Sequence, residues 1–562
     1  MKFFFDRNIS LFNILFTVLI AGSIACICLL ASVPPVSRDA LTHHLFVPKL
    51  YLQHGGMYEI PYLSVSYYPM NLDLLYLIPL YFNNDIIPKF IHFFFALVTS
   101  IMIYRYLARR INISYALLGV LFFLTLPVIV RLSSTVYVDL GLICFLFAAL
   151  LYLFDWIESG FKTRWLLLSA VCCGLAMGTK LNGLIGLFLL GLFVGFVYVR
   201  YHASQKRYAV KMIGRCAVFF ITAMIVFSPW MVRNTSWTGN PVYPLYNSLF
   251  NTVNTGRESK PDSELEEQIQ ISHIRILREI YGESWLQIAL IPLRVFFQGQ
   301  DDNPRYFDGR ANPFLLLLPL FAFWGIRSGT KQEKAEKLLL LFFSVLFLLF
   351  ACAQTSIRIR YFSAILPPLV LLSMFGLHNI QTQILNRYLL ISSFIKKIVI
   401  SGIIVVMLGL NAVYLANRFK QDQPVSYIAG KIKRDEYIQA YRPEYAAYQY
   451  ANKHLAYDSK ILGIYLGNRG YYSDRHIEFS IEILKVLAAN AETGLDIAQK
   501  LYEKGFTHLL VNFQLFNNFA SKYSGHEQQM LKQFFEFHTI HEFSKDGHGL
   551  LRLTEEAEGR LP

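Results

Sequence analysis

Long runs of apolar residues, separated by short polar stretches, fill most of the first 417 positions of the chain. A helix that crosses a bilayer needs roughly 20 mostly apolar residues. The run at 71–82 is too short to cross and contains Asp73, so we interpret it as a helix beside the membrane. The remaining runs predict eleven spans, at 9–33, 88–107, 114–131, 137–154, 164–181, 183–200, 209–230, 312–328, 337–354, 361–378 and 394–416.

The pattern changes after residue 417, where apolar runs become short and charges of both signs appear. The runs Ile461–Leu466 and His508–Phe513 predict strands, residues 490–504 have helical spacing, and 535–553 could form a terminal hairpin. The sequence therefore predicts a mostly α, polytopic helical membrane region, residues 1–417, followed by a small C-terminal α/β domain, residues 418–562.

Charge placement predicts the orientation. The formal net charge is +14, which raises nucleic acid as a partner. All of this excess lies in residues 1–417, and with the N-terminus in the cytoplasm it falls in the inside loops, from Lys2 and Arg7 to Lys396 and Lys397. The positive charge is therefore what the positive-inside rule expects of a protein in the cell (inner) membrane. We predict no nucleic-acid partner. An odd number of spans places the tail and the loops 34–87 and 231–311 outside.

Five basic residues stand at predicted outer span ends, where orientation does not require positive charge. Arginine binds phosphate oxygens in pairs, and lysine acts as a point charge. These side chains are therefore candidates for holding the phosphate of a lipid in the outer leaflet. The alternative is that each extends to the lipid head groups. The five are Arg131, Lys180, Arg233, Arg358 and Arg360.

Two acidic residues lie on the same side, Asp39 just after the first span and Asp139 at the start of another. A carboxylate at such a position is a candidate general base. Alternatively, Asp39 caps the helix that begins near Ala40, and Asp139 is a hydrogen-bonded acid between spans. His43 and His44 could join a metal site, although no further ligand has a recognisable spacing.

A series of segments, taken in order, resembles a known family. The sequence resembles bacterial membrane glycosyltransferases of the protein-O-mannosyltransferase and aminoarabinose-transferase type, which have the GT-C fold. The segments are DALTHHLFVPKLYLQHGG and YYPMNLDLLYLIPLYF in the first outer loop, TVYVDLGLICF at 135–145, GTKLNGLIGL at 178–187, SPWMVRNTSWTGNPVYPLYNSLF at 228–250 and RYFSAILPPLVLL at 360–372.

The resemblance implies that a sugar moves from a polyprenyl-phosphate carrier to an acceptor hydroxyl, usually with inversion. It implies that Asp39 is the catalytic residue and Asp139 the second acidic position. Basic residues at span ends, above all Lys180, Arg233 and Arg360, would hold the lipid phosphate, and Lys49 could assist. His44 is a usual residue of this loop. The chain departs from close relatives at Thr42-His43, and its eleven predicted spans are fewer than in better-known members.

Several functional questions stay open at this point. The enzyme would be a hexosyl- or pentosyltransferase acting on a glycan, lipid or protein acceptor, as in lipopolysaccharide or protein O-glycosylation of the cell envelope. No cofactor is certain, and a divalent cation is possible. One alternative is an oligosaccharide polymerase or ligase that uses a lipid-linked glycan. The other is a transporter or flippase, which would show inverted repeats and charges at the bilayer midplane.

Overall fold

The computed structural model describes residues 11–250, 273–325, 330–353, 357–385 and 392–554. Lys2 and Arg7, the first of the predicted inside charges, lie outside the described residues. The described chain divides into two compact units. The first falls within Met1–Ser32, Tyr67–Leu75 and Ile87–Pro424, and the second within Val33–Ser66, Tyr76–Ile86 and Val425–Pro562.

The first unit is helical, and eight of its described helices are long and apolar enough to cross a membrane. They are Leu11–Ala31, Ile87–Arg110, Asp139–Glu158, Gly183–His202, Tyr208–Thr238, Lys331–Cys352, Ile359–Ile384 and Phe394–Ile428. The pair Ile113–Thr125 and Pro127–Ser133, bent by 64°, would make a ninth. Proline disfavours helical geometry in the residue before it, and Leu126 is extended there (ψ 132°), so the helix breaks at this point.

The multi-pass prediction is confirmed, and among the described residues eight helices, or nine with the bent pair, are long and apolar enough to cross a membrane. Each predicted span coincides with apolar helix. The runs at 164–181 and 312–328 form the shorter apolar helices Thr163–Thr179 and Phe314–Phe323. The first has 17 residues, the lower limit for a crossing helix. The first ends where Lys180 adopts extended backbone, and the second stops at Trp324.

Glycines allow close packing among these helices. A Cβ at Gly174 would lie 2.6 Å from the carbonyl oxygen of Ala223, and one at Gly186 would lie 2.3 Å from Leu146 Cδ2. Helix packing in membranes depends on such small residues because lipid tails provide no hydrophobic drive for association. These contacts bring Thr163–Thr179 against Tyr208–Thr238, and Gly183–His202 against Asp139–Glu158.

Shorter elements connect the long helices. The run at 71–82 forms the helix Asn71–Tyr81, as predicted. The remaining short described helices before residue 425 are Phe46–His54, Asn247–Phe250, His273–Glu279, Trp285–Ala289, Ile291–Arg294 and Phe314–Leu317, with 3₁₀ turns at Ser64–Tyr67, Pro304–Tyr306, Leu318–Phe323 and Ile359–Ile365, and π-helical turns at Ala40–His44 and Ile380–Ile384. Ser393–Asp422 and Pro424–Ile428 complete the last long helical segment.

The second unit contains a five-stranded sheet. Its strands are β1 (Lys460–Ile464), β2 (His476–Phe479), β3 (His508–Asn512), β4 (Thr539–Lys545) and β5 (His548–Leu553), in the order β2-β1-β3-β5-β4. The first three are parallel, and β5 is antiparallel to both β3 and β4. The helices of this unit after residue 430 are Arg434–Tyr441, Tyr445–His454, Glu482–Asn490, Gly494–Glu503, Phe513–Ala520 and Gly525–Phe537.

The prediction of a small α/β fold in the tail is confirmed. Both predicted strands, the helix near 490–504 and the terminal hairpin are present. Strand β2 was not predicted, because it has only four residues and two of them, His476 and Glu478, are polar. Such a short strand carries little apolar signal. The division of the chain at residues 417 and 418 stays a prediction.

Candidate functional site

A buried ion pair lies at the centre of the candidate site in the first unit. The Asp139 side chain is fully buried, and its Oδ1 accepts a 2.6 Å hydrogen bond from Lys180 Nζ. Asp139 lies in the first turn of its helix and Lys180 directly follows the end of another, so the dipoles of both helices favour these charges. Among the described residues, Asp139 Oδ2 has no hydrogen-bond partner.

His92 holds the backbone around this pair. Its Nδ1 lies 3.0 Å from the carbonyl oxygen of Leu132 and 3.1 Å from that of Thr135, so Nδ1 is the protonated nitrogen. Its Nε2 accepts a 2.9 Å bond from the backbone N–H of Leu140. A neutral imidazole thus ties the loop before Asp139 to the first turn of its helix.

Three of the predicted phosphate ligands gather around one aromatic ring. The ring of Tyr361 lies 4.9 Å from Lys180 Nζ, 5.9 Å from the Arg358 guanidinium carbon and 5.2 Å from that of Arg360. Arg360 also lies over Tyr137, at 4.8 Å. Aromatic faces attract cations, so the rings hold these side chains together despite their like charge.

Arg131 belongs to the same region but already has acidic partners. Its guanidinium bonds to Asp301 at 3.3 Å, Asp302 at 2.7 Å and Asp308 at 3.0 Å. The Asp301 and Asp308 side chains are only 16% and 18% exposed, so they are not the solvated loop charges that their sequence position suggests. Arg358 reaches Asp308 from the other side, at 3.6 Å.

Asp308 is held ionised by this surrounding charge. Burial opposes its ionisation, but attraction to Arg131 and Arg358 outweighs burial and holds the pKa of Asp308 below its usual value. A cavity of about 10 Å³, room for about one water molecule, lies beside it. The cavity is lined by Val128, Arg131, Leu132, Tyr137, Asp308, Gly309 and Arg360.

Arg233 lies elsewhere in the first unit and makes local contacts. Its Nη2 donates to the carbonyl oxygens of Tyr67 and Tyr68 at 2.5 and 3.1 Å, and its guanidinium lies between the rings of Trp230 and Trp237. These contacts connect the helix Tyr208–Thr238 to the start of Tyr67–Leu75. The sequence position of Arg233 at a span end thus corresponds to a contact with the backbone of Tyr67 and Tyr68.

Asp39 belongs to the second unit, where it precedes the π-helical turn Ala40–His44. The Asp39 side chain makes no capping hydrogen bond to this turn, although the capping alternative expects one. The turn is closed by the N–H of Leu45, which donates to the carbonyl oxygen of Ala40 at 2.9 Å. Single π turns are rare in proteins as a whole, and those that occur are often found at functional sites.

His43 and His44 are buried in the same turn, and their rings stack with centroids 4.3 Å apart. Neighbouring imidazoles could supply two nitrogen ligands to a metal ion. The divalent cation stays a prediction.

Lys49 has partners that the sequence did not suggest. Its Nζ donates to the carbonyl oxygens of Tyr471 and Ser473, at 2.9 and 2.7 Å, and to Asp474 Oδ1 at 2.8 Å. An ammonium group has three N–H donors, and all three are used here. Burial lowers the pKa of Lys49, and the nearby Asp474 carboxylate offsets part of this effect.

The sequence missed three contributors to the site. His92 carried a usable signal, since an ionisable residue inside an apolar run is expected to have a function. Tyr361 lies in the segment RYFSAILPPLVLL, which carries the resemblance, but an aromatic residue at a span end does not by itself indicate a site. Asp308 carried no signal, because an acid in a loop is common.

Comparison with known proteins supports the resemblance. Residues 82–232 match the model of the dolichyl-phosphate-mannose-protein mannosyltransferase family. No curated protein sequence matches the chain. The match covers less than half of the chain, so the solved structures carry the rest of the comparison.

Solved membrane glycosyltransferases are similar along almost the whole chain. The apo structure of ArnT from Cupriavidus metallidurans has a TM-score of 0.56 at 12% identity, covering 97% of this chain and 99% of that one. The same protein bound to undecaprenyl phosphate has a TM-score of 0.55 at 11% identity, with the same coverage.

The oligosaccharyltransferase AglB from Archaeoglobus fulgidus, in complex with an inhibitory peptide and a dolichol-phosphate, has a TM-score of 0.51 at 12% identity. It covers 98% of this chain and 75% of that one. At such low identity these likenesses establish the fold. The chain therefore has the GT-C fold of membrane glycosyltransferases, and the resemblance found in its sequence is confirmed.

Proposed function

We propose that the protein is an integral membrane glycosyltransferase that transfers a sugar from a polyprenyl-phosphate carrier to an extracytoplasmic acceptor hydroxyl. One observation carries the proposal: Lys180, Arg358 and Arg360 lie around Tyr361, beside a fully buried carboxylate. The ArnT structure that binds undecaprenyl phosphate has the same fold and supports a carrier of this class.

The group around Tyr361 suits a departing phosphate. In the transfer, the bond between the anomeric carbon and the carrier phosphate breaks as the acceptor oxygen bonds to that carbon. Negative charge grows on the phosphate, and cations already in place stabilise it without reorganising. Lys180 uses one of its three donors on Asp139, which leaves two for phosphate oxygens.

Asp139 acts as the positioning residue for Lys180. Its side chain is fully buried, so the proposal does not give it contact with the sugar or the acceptor. Its carboxylate orients the ammonium group through a short, charge-assisted hydrogen bond. Arg131, whose charge is shared among three aspartates, sets the position of the loop that carries Asp308.

Asp39 is proposed as the general base that takes the proton of the acceptor hydroxyl. The assignment is supported by the family resemblance of this loop and by the π turn that follows Asp39. The N-terminus is proposed to be cytoplasmic, with Asp39 and the tail on the outer side of the cell (inner) membrane. Whether the acceptor is a glycan, a lipid or a protein is the next question.

The experiment is turnover by the full-length protein in lipid nanodiscs, with release of free polyprenyl phosphate as the readout. Donors are polyprenyl-phosphate monosaccharides and undecaprenyl-diphosphate glycans. The second class tests transfer of a whole glycan, which the similarity to an oligosaccharyltransferase favours as the alternative. We expect release only from the monosaccharide carriers.

Two variants and two matched controls accompany it. Removing one preorganised donor lowers kcat by roughly 10²–10³-fold, and we expect such a loss in Arg360→Ala. Asp39→Asn is expected to abolish transfer. The controls are Arg275→Ala and Asp458→Asn, which remove exposed charges from the first and second unit. Full activity in Arg360→Ala and Asp39→Asn would refute the proposed roles.

A further inference from the structure

The segment that carries Asp39 is bound to one loop of its own unit. This loop, residues 467–474, follows β1 and precedes β2. It lies at the carboxyl end of β1, whose two parallel neighbours β2 and β3 lie on opposite sides. In open α/β sheets, this switch point is where ligands bind. Here the loop contacts residues of the chain segment 35–49.

Hydrogen bonds hold the segment on both sides of Asp39. Before it, the hydroxyl of Tyr472 donates to the carbonyl oxygen of Pro35 at 2.8 Å. After it, the N–H of Tyr471 donates to the carbonyl oxygen of Leu41 at 3.2 Å. These bonds to backbone carbonyls fix the path of the chain, whatever its side chains.

Packing adds to these bonds. A Cβ at Gly470 would lie 2.4 Å from Phe46 Cζ, so the Phe46 ring lies directly on the backbone of the loop. This ring also contacts Phe479 of β2, at 6.4 Å between centroids. Only glycine permits so close an approach at position 470.

Lys49 joins the two segments by charge. Its three hydrogen bonds all go to the loop, to Tyr471, Ser473 and Asp474. No donor remains for a lipid phosphate, and Asp474 neutralises its charge. The structure therefore gives Lys49 a role different from the one that its place in the sequence suggests.

We infer that loop 467–474 positions Asp39 for its reaction, and that Lys49 is the positioning residue that fixes the loop to the Asp39 segment. The inference rests on the proposed role of Asp39 as the base. It gives the C-terminal part of the second unit a task in catalysis.

The test compares Lys49→Ala and Lys49→Arg with wild type, using the full-length protein in nanodiscs. Lys532→Ala is the matched control, since it removes a 73% exposed lysine that faces Glu536 in the same unit. Three quantities are measured: hydrogen exchange of the Tyr471 amide and of residues 40–46, affinity for undecaprenyl phosphate, and kcat and KM. Exchange reports docking of the loop even without turnover.

We expect Lys49→Ala to raise exchange of these amides at least tenfold and to lower kcat at least tenfold, with affinity for undecaprenyl phosphate changed less than twofold. Lys49→Arg should restore most of the protection and part of the rate, and Lys532→Ala should match wild type. Unchanged exchange in Lys49→Ala, with or without loss of lipid affinity, would overturn the inference. If the wild-type protein neither bound undecaprenyl phosphate nor turned over a donor, the proposed function would be refuted. The hydrogen-exchange data would still test whether loop 467–474 is docked on the Asp39 segment.

Discussion

Replacing Lys180 by methionine should make the two helices that carry the buried ion pair open more often and expose their buried side chains. The variant leaves the Asp139 carboxylate in place with neither oxygen bonded to a described residue, because Oδ1 loses its lysine and Oδ2 has no partner at the outset. Methionine keeps the length of the lysine stem, so packing changes little. The predicted effect is therefore electrostatic.

The magnitude follows from burial. Breaking a buried pair by removing one partner costs about 3–5 kcal/mol, because a charge is left without compensation. Asp139 is fully buried and cannot reach water, whereas the Lys180 side chain is 19% exposed and can turn toward it. Asp139→Asn should therefore cost less than Lys180→Met. The double variant Asp139→Asn/Lys180→Met, which leaves no charge, should lie closer to wild type than Lys180→Met alone.

Two buried cysteines provide the assay. Cys144 and Cys173 are free thiols in the helices that begin at Asp139 and end before Lys180, so their labelling rates report the opening of these helices. Since every 1.4 kcal/mol corresponds to a factor of ten, about 3 kcal/mol means on the order of a hundredfold faster labelling. Peptide mass spectrometry of the full-length protein in nanodiscs separates these two thiols from the others.

An exposed ion pair is the control. Arg275 and Glu279, 63% and 56% exposed, lie one helical turn apart, and such pairs contribute roughly 0.3–0.5 kcal/mol. Arg275→Met should leave both labelling rates within about threefold of wild type. The reasoning would be refuted by Lys180→Met labelling at the rate of this control, or by a double variant that is worse than both single variants together.

Three further outcomes follow from the structure. Asp308→Asn removes a negative charge next to Arg131 and Arg358 and should tighten the binding of undecaprenyl phosphate several-fold. Asp302→Asn should change this affinity less, because Asp302 is 71% exposed and water and salt screen its charge. Equal effects of the two variants would contradict this prediction. Gly470→Ala forces a Cβ into the Phe46 ring and should cost about 1–3 kcal/mol, measured as faster exchange of the Tyr471 amide; unchanged exchange would contradict the close packing. The backbone N–H of Ser524 bonds to Glu527 and lowers its pKa, so the stability contributed by this carboxylate is present above about pH 4.3 and is lost as the pH falls through its folded-state pKa. Protection of the amides in Gly525–Phe537 should therefore fall below pH 4, and should fall less in Glu527→Gln; identical pH profiles would speak against this.

The apolar helices and the sheet of the tail could be predicted because their signals are local. A run of apolar residues specifies a helix in lipid, and short alternating runs specify strands, whatever lies elsewhere in the chain. The ends of the helices were harder to predict, and Thr163–Thr179 and Phe314–Phe323 are shorter than their apolar runs. Thr163–Thr179 ends where Lys180 has extended backbone, and this lysine pairs with Asp139, 41 positions earlier.

The partners of the charged residues could not be predicted, because they are distant in sequence. Arg131 pairs with aspartates about 170 positions away, and Lys49 bonds to residues more than 420 positions away. Arg131 was predicted to bind phosphate from its place at a span end, and Lys49 from the family resemblance. Only the folded structure reveals these partners, and only the folded structure reveals that Lys180, Arg358 and Arg360 meet at Tyr361.

The central claim is that these three cations bind the phosphate of a polyprenyl carrier. The most direct measurement is the affinity of the nanodisc-embedded protein for undecaprenyl phosphate, with undecaprenol, which lacks the phosphate, as the ligand control and Arg275→Ala as the protein control. We expect the protein to bind undecaprenyl phosphate but not undecaprenol. The affinity for undecaprenyl phosphate should fall at least tenfold in Arg358→Ala and in Arg360→Ala and stay unchanged in Arg275→Ala. Equal affinity for undecaprenol, or full affinity in both variants, would contradict it.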